Sequence, residues 1–261
     1  MAIGEEPMPL MERFRLDGRT ALIIGASRGI GRQAALVCAQ AGASLVLSAR
    51  STGDLEKVAA AALQAGAPEA VVAPADAADE AAVEAVVAGA AELSGRLDVL
   101  IHVAGGQQFF AMLADTRTDG WDKVMNLNLR SPFLACRAAL PRMPRGGAIV
   151  NVASVAGLAS SPTIGVYGAA KAGLIGLTRT LAVEAAPHGV RVNCLAPGWV
   201  RTELTRRLWS DPETSQATIG DVPMGRWGEV EELAGPLLLL ASDAGSYITG
   251  ATLVVDGGGL A

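Results

Sequence analysis

Seven apolar runs of strand length punctuate this chain, at 20–25, 44–48, 70–74, 97–104, 147–153, 190–196 and 252–255. Between most of them lie longer stretches with helical spacing, at about 29–42, 53–66, 78–94, 119–143 and 165–186, and another at 229–242 precedes the last run. A strand apolar on both faces has to be covered on both faces. Alternation with helices supplies that cover, so the pattern predicts an α/β fold built on a doubly wound parallel sheet. The 261 residues suffice for one such domain. No linker, low-complexity segment or internal repeat divides it, so residues 1–18 read as an N-terminal extension and 19–261 as a single domain. Residues 202–224 break the rhythm, with mixed polarity, Asp211-Pro212 and Pro223. They are expected to leave the sheet and to form a substrate lid.

Composition narrows the function classes. Apolar residues make up 51% of the chain, enough for a sizeable core. The formal net charge is −5 and the basic residues are scattered, so no nucleic-acid or polybasic membrane surface is expected. Cys38, Cys136 and Cys194 lie far apart without metal-ligand spacing. An odd number of cysteines and no basic, apolar leader predict free thiols in the cytoplasm and no metal site. The longest aliphatic stretch, at 237–241, is far short of the ~20 residues of a membrane span.

The first strand runs into Gly25-Ala26-Ser27-Arg28-Gly29-Ile30-Gly31 and then a helical stretch. Glycines allow backbone N–H groups to approach an anion, and a helix N-terminus adds partial positive charge. The spacing, G-x-x-x-G-x-G, is not the commoner G-x-G-x-x-G, and a purely structural turn is the competing reading. The second strand ends at Ala49-Arg50, where an acidic residue would select NAD by binding the ribose hydroxyls. With no acid there, Arg28 and Arg50 could clamp a 2′-phosphate through paired, charge-assisted hydrogen bonds, or be two solvated surface arginines. The first alternative favours NADP(H) over NAD(H).

The fifth strand leads into Ser154, at the sheet edge where ligands sit in open α/β sheets. Tyr167 and Lys171 follow, four positions apart and so on one face of a helix. A phenol near its ordinary pKa of ~10 is a poor base at neutral pH, and a nearby ammonium favours its ionised form. Tyr167 with Lys171 is a workable proton-transfer pair, and Ser154 could hold the substrate oxygen. Each element alone fits a bland reading, such as a partly exposed Tyr/Lys pair.

In this order, the residues resemble the single-domain short-chain dehydrogenase/reductase family, with its Rossmann-type fold, over roughly residues 16–261. That family carries T-G-x-x-x-G-x-G, matched from Ile24 onward; a Ser thirteen positions before Y-x-x-x-K, matched by Ser154, Tyr167 and Lys171; an asparagine in Leu127-Asn128-Leu129; a P-G segment ending in Thr, matched by 197–202; and V-D-G-G, matched by 255–258. The resemblance implies that Tyr167 is general acid in reduction and base in oxidation. Lys171 would bind the nicotinamide ribose and lower the phenol pKa. Ser154 would orient the carbonyl, and Asn128 would hold a water that passes protons toward Lys171. The nucleotide would lie along Gly25, Ser27, Arg28, Gly29, Ile30, Gly31, Arg50, Asp76, Ala77, Ala104, Gly105, Tyr167, Lys171, Pro197, Gly198, Val200 and Thr202. Within that set, Asp76 would hold the adenine, while Val200 and Thr202 would meet the nicotinamide amide and a phosphate.

Two departures stand out. The family usually shows N-N-A-G after the fourth strand, where this chain has His102-Val103-Ala104-Gly105, and Ile24 replaces a Thr. His102 is expected to be a packed or capping histidine, and His188 a helix-end residue. Gln107, Phe109, Phe110, Met112, Ser160, Ser161, Pro162, Ile164, Leu204, Leu208 and Trp209 make a largely apolar substrate side. Arg201, Arg206 and Arg207 are candidates for the phosphates of a thioester carrier, or a solvated face. The expected protein is a homotetrameric NADP(H)-dependent oxidoreductase acting on a carbonyl or secondary alcohol, with a ketone or 3-oxoacyl substrate. Its rivals are an NAD-linked alcohol dehydrogenase, an enoyl-thioester reductase (residues 105–110 faintly resemble such enzymes) and a cofactor-binding regulator.

Overall fold

A computed structural model describes residues 8–159 and 161–261. Seven strands form one sheet: β1 (Thr20–Ile24), β2 (Ser44–Ser48), β3 (Ala70–Val72), β4 (Val99–His102), β5 (Ala148–Val152), β6 (Arg191–Pro197) and β7 (Thr252–Val255). Their order is β3-β2-β1-β4-β5-β6-β7 and every pairing is parallel. The helices are α1 (Gly29–Gln40), α2 (Thr52–Ala65), α3 (Glu80–Ser94), α4 (Thr118–Met125), α5 (Ser131–Ala139), α6 (Gly165–Ala185), α7 (Arg206–Trp209), α8 (Pro212–Ile219) and α9 (Ala234–Ala241).

The strands alternate their side chains between two cores, as their period of two requires. Ile23, Leu45 and Leu47 join α1, α2 and α9 on one face. Leu22, Val46 and Leu100 join α3 and α5 on the other. Strand order reverses between β1 and β4, and there the connections leave in opposite directions and open a crevice at the strands' C-terminal ends. The glycine turn after β1 and the loop after β4 form its walls.

Three segments differ from the sequence expectation. The stretch 119–143 is not one helix: α4 ends at Met125, a wide π turn spans Asn126–Arg130, and α5 starts at Ser131. The cause is Pro132, which has no N–H and whose ring collides with the carbonyl four residues back, that of Asn128. A second proline, Pro141, lies in the short 3₁₀ turn that follows α5. Residues 202–224 hold two short helices, α7 and α8; Asp211 caps α8 by accepting the Thr214 N–H at 2.8 Å. Finally, the start of 229–242 is a 3₁₀ turn closed by a Glu229/Glu232 capping box before α9 begins.

Part of the expected N-terminal extension belongs to the core. Leu16 is fully buried and its N–H donates to Ala41 O at 2.7 Å. Arg13 reaches across to Asp243 O and Ser246 Oγ. Residues 1–7 of that extension, and Ser160 of the expected substrate side, lie outside the described residues.

Candidate active site

The glycine turn is shaped by what a side chain would strike. Gly25 has φ +94°, and a Cβ there would sit 2.5 Å from Ala104 N. A Cβ on Gly31 would sit 2.0 Å from Gly25 O, so α1 starts pressed against the turn. No side chain caps α1 and no acidic residue occupies its first turn. Its N-terminal amides and partial positive charge therefore face the crevice, a fit for the pyrophosphate of a dinucleotide. Thr202 closes the far side, its side chain 3.5 Å from a Cβ built on Gly29. Ser27 is half-buried in the same turn, while Ile30 packs into the core behind it.

Arg28 and Arg50 are both exposed at this end of the sheet. The Arg28 charge reaches Asp54, whose carboxyl is held below its ordinary range first by Ser51, then by Lys57, and least by Arg28. Asp76 is exposed, and its Oδ1 accepts the Ala78 N–H at 2.9 Å, bracing the turn that contains Ala77. Ala104 N–H donates to Ile24 O at 3.0 Å, which ties the β4 loop to β1. Pro197 ends β6, and Gly198 leaves no room for a side chain, since a Cβ would lie 2.6 Å from Asp256 Cβ. The Val200 side chain is buried in the core, which leaves its main chain on offer to a ligand.

The expected proton-transfer residues converge. Lys171 is buried and its Nζ donates to Val152 O at 2.8 Å. The same Nζ lies 5.7 Å from the Tyr167 ring centroid. Ser154 Oγ accepts the Ala156 N–H at 3.2 Å, which leaves the hydroxyl proton free to hydrogen-bond the Tyr167 oxygen. Burial raises the Tyr167 pKa and that serine bond works against the rise. Burial also pushes Lys171 down, to about 8. In this setting Tyr167 keeps its proton at neutral pH, which suits an acid more directly than a base. The expected depression of the phenol by Lys171 is absent: burial raises its pKa and the bond to Ser154 is what opposes the rise.

Asn128 sits on the π turn and is fully buried. Its Oδ1 accepts the Gly106 N–H at 2.8 Å, and its Nδ2 donates to Gly106 O at 3.1 Å and to Val124 O at 3.0 Å. The side chain is thereby spent on holding the β4 loop. Its carbonyl is another matter, because the α-helical donor to it would be residue 132, a proline. Gly105 passes closest: a Cβ there would lie 2.8 Å from Asn128 Oδ1 and 3.2 Å from Lys171 Nζ. Gly106 was not singled out from the sequence, although the doubled glycine after Ala104 was the available signal.

On the substrate side, Leu204 covers Gly106, with its Cδ atoms 3.3 Å from a Cβ built there. Phe110 and Met112 are exposed, and the Ala111 N–H donates to Thr163 O at 3.0 Å, joining the β4 loop to the loop before α6. Thr163 is the one non-glycine residue with positive φ among the described residues, at +66°. Gln107 donates its side-chain amide to Phe109 O. Trp209 folds back, its Nε1 donating to Thr202 O at 3.1 Å. Arg201 and Arg206 are paired with Glu229 and Glu203, each at 3.0 Å, so two of the three arginines suggested for a carrier phosphate already have acidic partners.

His102 is a buried residue, as expected, with Nε2 2.8 Å from Ser131 Oγ. Burial, with a smaller push from the Lys171 charge, lowers its pKa to about 3. The unfolded chain binds this proton at an ordinary pKa near 6.5, so between pH 6.5 and 3 unfolding takes up a proton and stability falls as pH falls. Urea unfolding is expected to show the wild type losing about 2 kcal/mol more than His102→Gln between pH 7 and pH 4.5. Equal losses would place the acid sensitivity elsewhere. His188 ends a 3₁₀ turn before Gly189, the helix-end position expected of it.

Residues 25–259 match a family model described as enoyl-(acyl carrier protein) reductase. The human dehydrogenase/reductase SDR family member 4 is 37% identical over 252 residues, 95% of this chain and 90% of that protein. A 3-oxoacyl-(acyl-carrier-protein) reductase from Thermotoga maritima is 38% identical, covering 94% of this chain and 99% of its own. A crystal structure of a dehydrogenase/reductase from Sinorhizobium meliloti superposes with a TM-score of 0.91 at 35% identity, covering 97% and 99% of the two chains. With the parallel seven-stranded sheet, the glycine turn and the Ser154/Tyr167/Lys171 cluster at one edge, these likenesses make the chain an oxidoreductase of the short-chain dehydrogenase/reductase family.

Proposed function

We propose that this enzyme uses NADPH to reduce a ketone or 3-oxoacyl substrate with an apolar body, and runs the reverse oxidation when the alcohol is in excess. The observation that carries the reading is the convergence of Lys171 Nζ, the Tyr167 ring and the Asn128/Gly106 lock at one strand edge. The nicotinamide supplies or accepts the hydride. Tyr167, kept protonated by burial, donates its proton to the carbonyl oxygen. Ser154 orients that oxygen. Lys171 binds the ribose, and the Asn128 carbonyl, which Pro132 deprives of its α-helical donor, holds the water that resupplies the proton. Leu204, Phe110 and Met112 favour an aliphatic or alicyclic body over a free sugar, and 202–224 is the lid over it. A screen of ketones and thioesters with both nicotinamides, followed by absorbance, tests the reading; turnover of no carbonyl by protein that binds NADPH would favour a cofactor-binding regulator.

The preference for NADPH rests on Arg28, Arg50 and the absence of an acid at 49–50. Relatives of similar identity do not decide it, since an L-rhamnose 1-dehydrogenase from Azotobacter vinelandii, 39% identical, is named for NAD(P). Arg50→Asp is expected to weaken NADPH binding by repelling the 2′-phosphate and to improve relative use of NADH. Kinetics in which the wild type already prefers NADH would overturn the preference.

We also propose a cytoplasmic homotetramer. The three free cysteines are buried, in keeping with a reducing compartment. An apolar groove between the π turn, α5 and α6, lined by Met125, Leu129, Phe133 and Leu177, is the kind of surface that packs across a two-fold axis. Light scattering should give about four times the 26.6 kDa of one chain; a monomer mass at micromolar concentration would refute this.

A further inference from the structure

Two hydrogen-bonded pins join the same two segments. The first is the pair of bonds between the Asn128 side chain and the Gly106 main chain. The second is His102 Nε2 against Ser131 Oγ at 2.8 Å. His102 ends β4, four residues before Gly106. Ser131 starts α5, three residues after Asn128. Between the pins runs the π turn, closed by the Ser131 N–H donating to Asn126 O and followed at once by Pro132, which has no N–H to give back to the turn. The turn carries the carbonyl assigned above to the proton-relay water. Both His102 and Ser131 are shielded from solvent, so no water substitutes for either partner.

We infer that His102 and Ser131 are a positioning pair for the proton relay: their hydrogen bond fixes the start of α5 and with it the direction of the Asn128 carbonyl. This rests on the assignment of Asn128 above. Both residues are buried, so neither is open to a substrate or cofactor in the crevice. His102 holds β4, where its backbone pairs in register with Ile24 and Asn151, so the pin hangs from the middle of the sheet, not from a loop. A turn anchored at one end only can rotate, and a displacement of ~1 Å in a reacting group can cost ~10²-fold in rate.

The test is a set of single variants read for turnover, NADPH affinity, solvent deuterium isotope effect and melting temperature. His102→Phe keeps ring volume and loses both nitrogens; Ser131→Ala removes only the hydroxyl and adds no bulk. Both are expected to lower kcat by about tenfold, with NADPH affinity within twofold and a larger solvent isotope effect, because proton resupply becomes limiting. His102→Gln puts an amide nitrogen where Nε2 stands and should restore kcat. His102→Asn puts its nitrogen nearer the Nδ1 position, away from Ser131, and should not. A purely structural bond would lower the melting temperature and leave the isotope effect and the kcat of folded enzyme unchanged, which would overturn the proposal. Asn128→Ala keeps the carbonyl but frees the turn from Gly106. If it is crippled while His102→Phe and Ser131→Ala are normal, the Gly106 bonds alone position the carbonyl and the positioning pair is wrong. If Asn128→Ala is itself normal, the position of the turn does not govern the relay, and the assignment of the carbonyl and the pair fall together.

Discussion

Tyr167→Phe is expected to cut carbonyl turnover by ~10²–10⁴-fold with NADPH affinity nearly unchanged. The substitution removes the only phenolic proton near the site while keeping the ring that Lys171 lies against at 5.7 Å. Desolvation holds that proton on Tyr167 at neutral pH, so the wild-type group is charged with proton and ready to donate it. Lys171→Ala should differ in kind. Its ammonium is assigned both to the ribose and to the relay, and its Nζ also holds Val152 O, so turnover and NADPH affinity should fall together. Steady-state kinetics on a ketone and fluorescence titration with NADPH separate the two. Near-normal ketone turnover by Tyr167→Phe would sink the mechanism. A mild defect confined to enoyl substrates would instead indicate reduction of an activated C=C, where hydride transfer precedes protonation and an enolate can collect its proton elsewhere. The description of the matching family model gives that outcome a concrete alternative.

Gly31→Ala is expected to weaken NADPH binding by at least about tenfold, or ~1.4 kcal/mol. The new Cβ would lie 2.0 Å from Gly25 O and 2.7 Å from Gly25 C, both main-chain atoms that no rotamer change can move aside. Either α1 shifts away from the turn or the turn opens, and in both cases the amides that face the pyrophosphate lose their alignment. Forced overpacking should also destabilise the fold by ~1–3 kcal/mol. Gly53→Ala is the control: a Cβ there meets nothing within 4 Å, near the start of α2. It should leave binding intact, since alanine is the better helix former. Isothermal titration and melting curves of both variants check the contrast, and equal NADPH affinity in Gly31→Ala and wild type would remove the glycine turn from the cofactor site.

The sequence alone was enough for the architecture. Strands apolar on both faces have one inexpensive arrangement when helices alternate with them, and the parallel sheet follows. The glycine turn was equally legible, since positive φ at Gly25 and Gly29 and the tight approach at Gly31 each demand glycine at that place. Tyr167 and Lys171 share a face because four residues make about one helical turn. These features depend on neighbours close along the chain. What the tertiary structure decided lies between distant residues. The helix break at Asn126–Arg130 depends on Pro132, which was visible, but also on Gly106, twenty-two positions before Asn128, which accepts and donates the bonds that make the wide turn worth forming. That Val200 offers main chain and not side chain to the crevice follows from the path of the chain after β6, which turns its side chain into the core. The phenol was expected to be lowered by Lys171 and is raised, because desolvation depends on how completely packing covers both groups. His102 was read as a packed residue; its bond to Ser131 emerged only when β4 and α5 were set side by side. Spacing along a chain determines which side chains share a helix face or a turn, but loop paths and packing decide which of those faces meet.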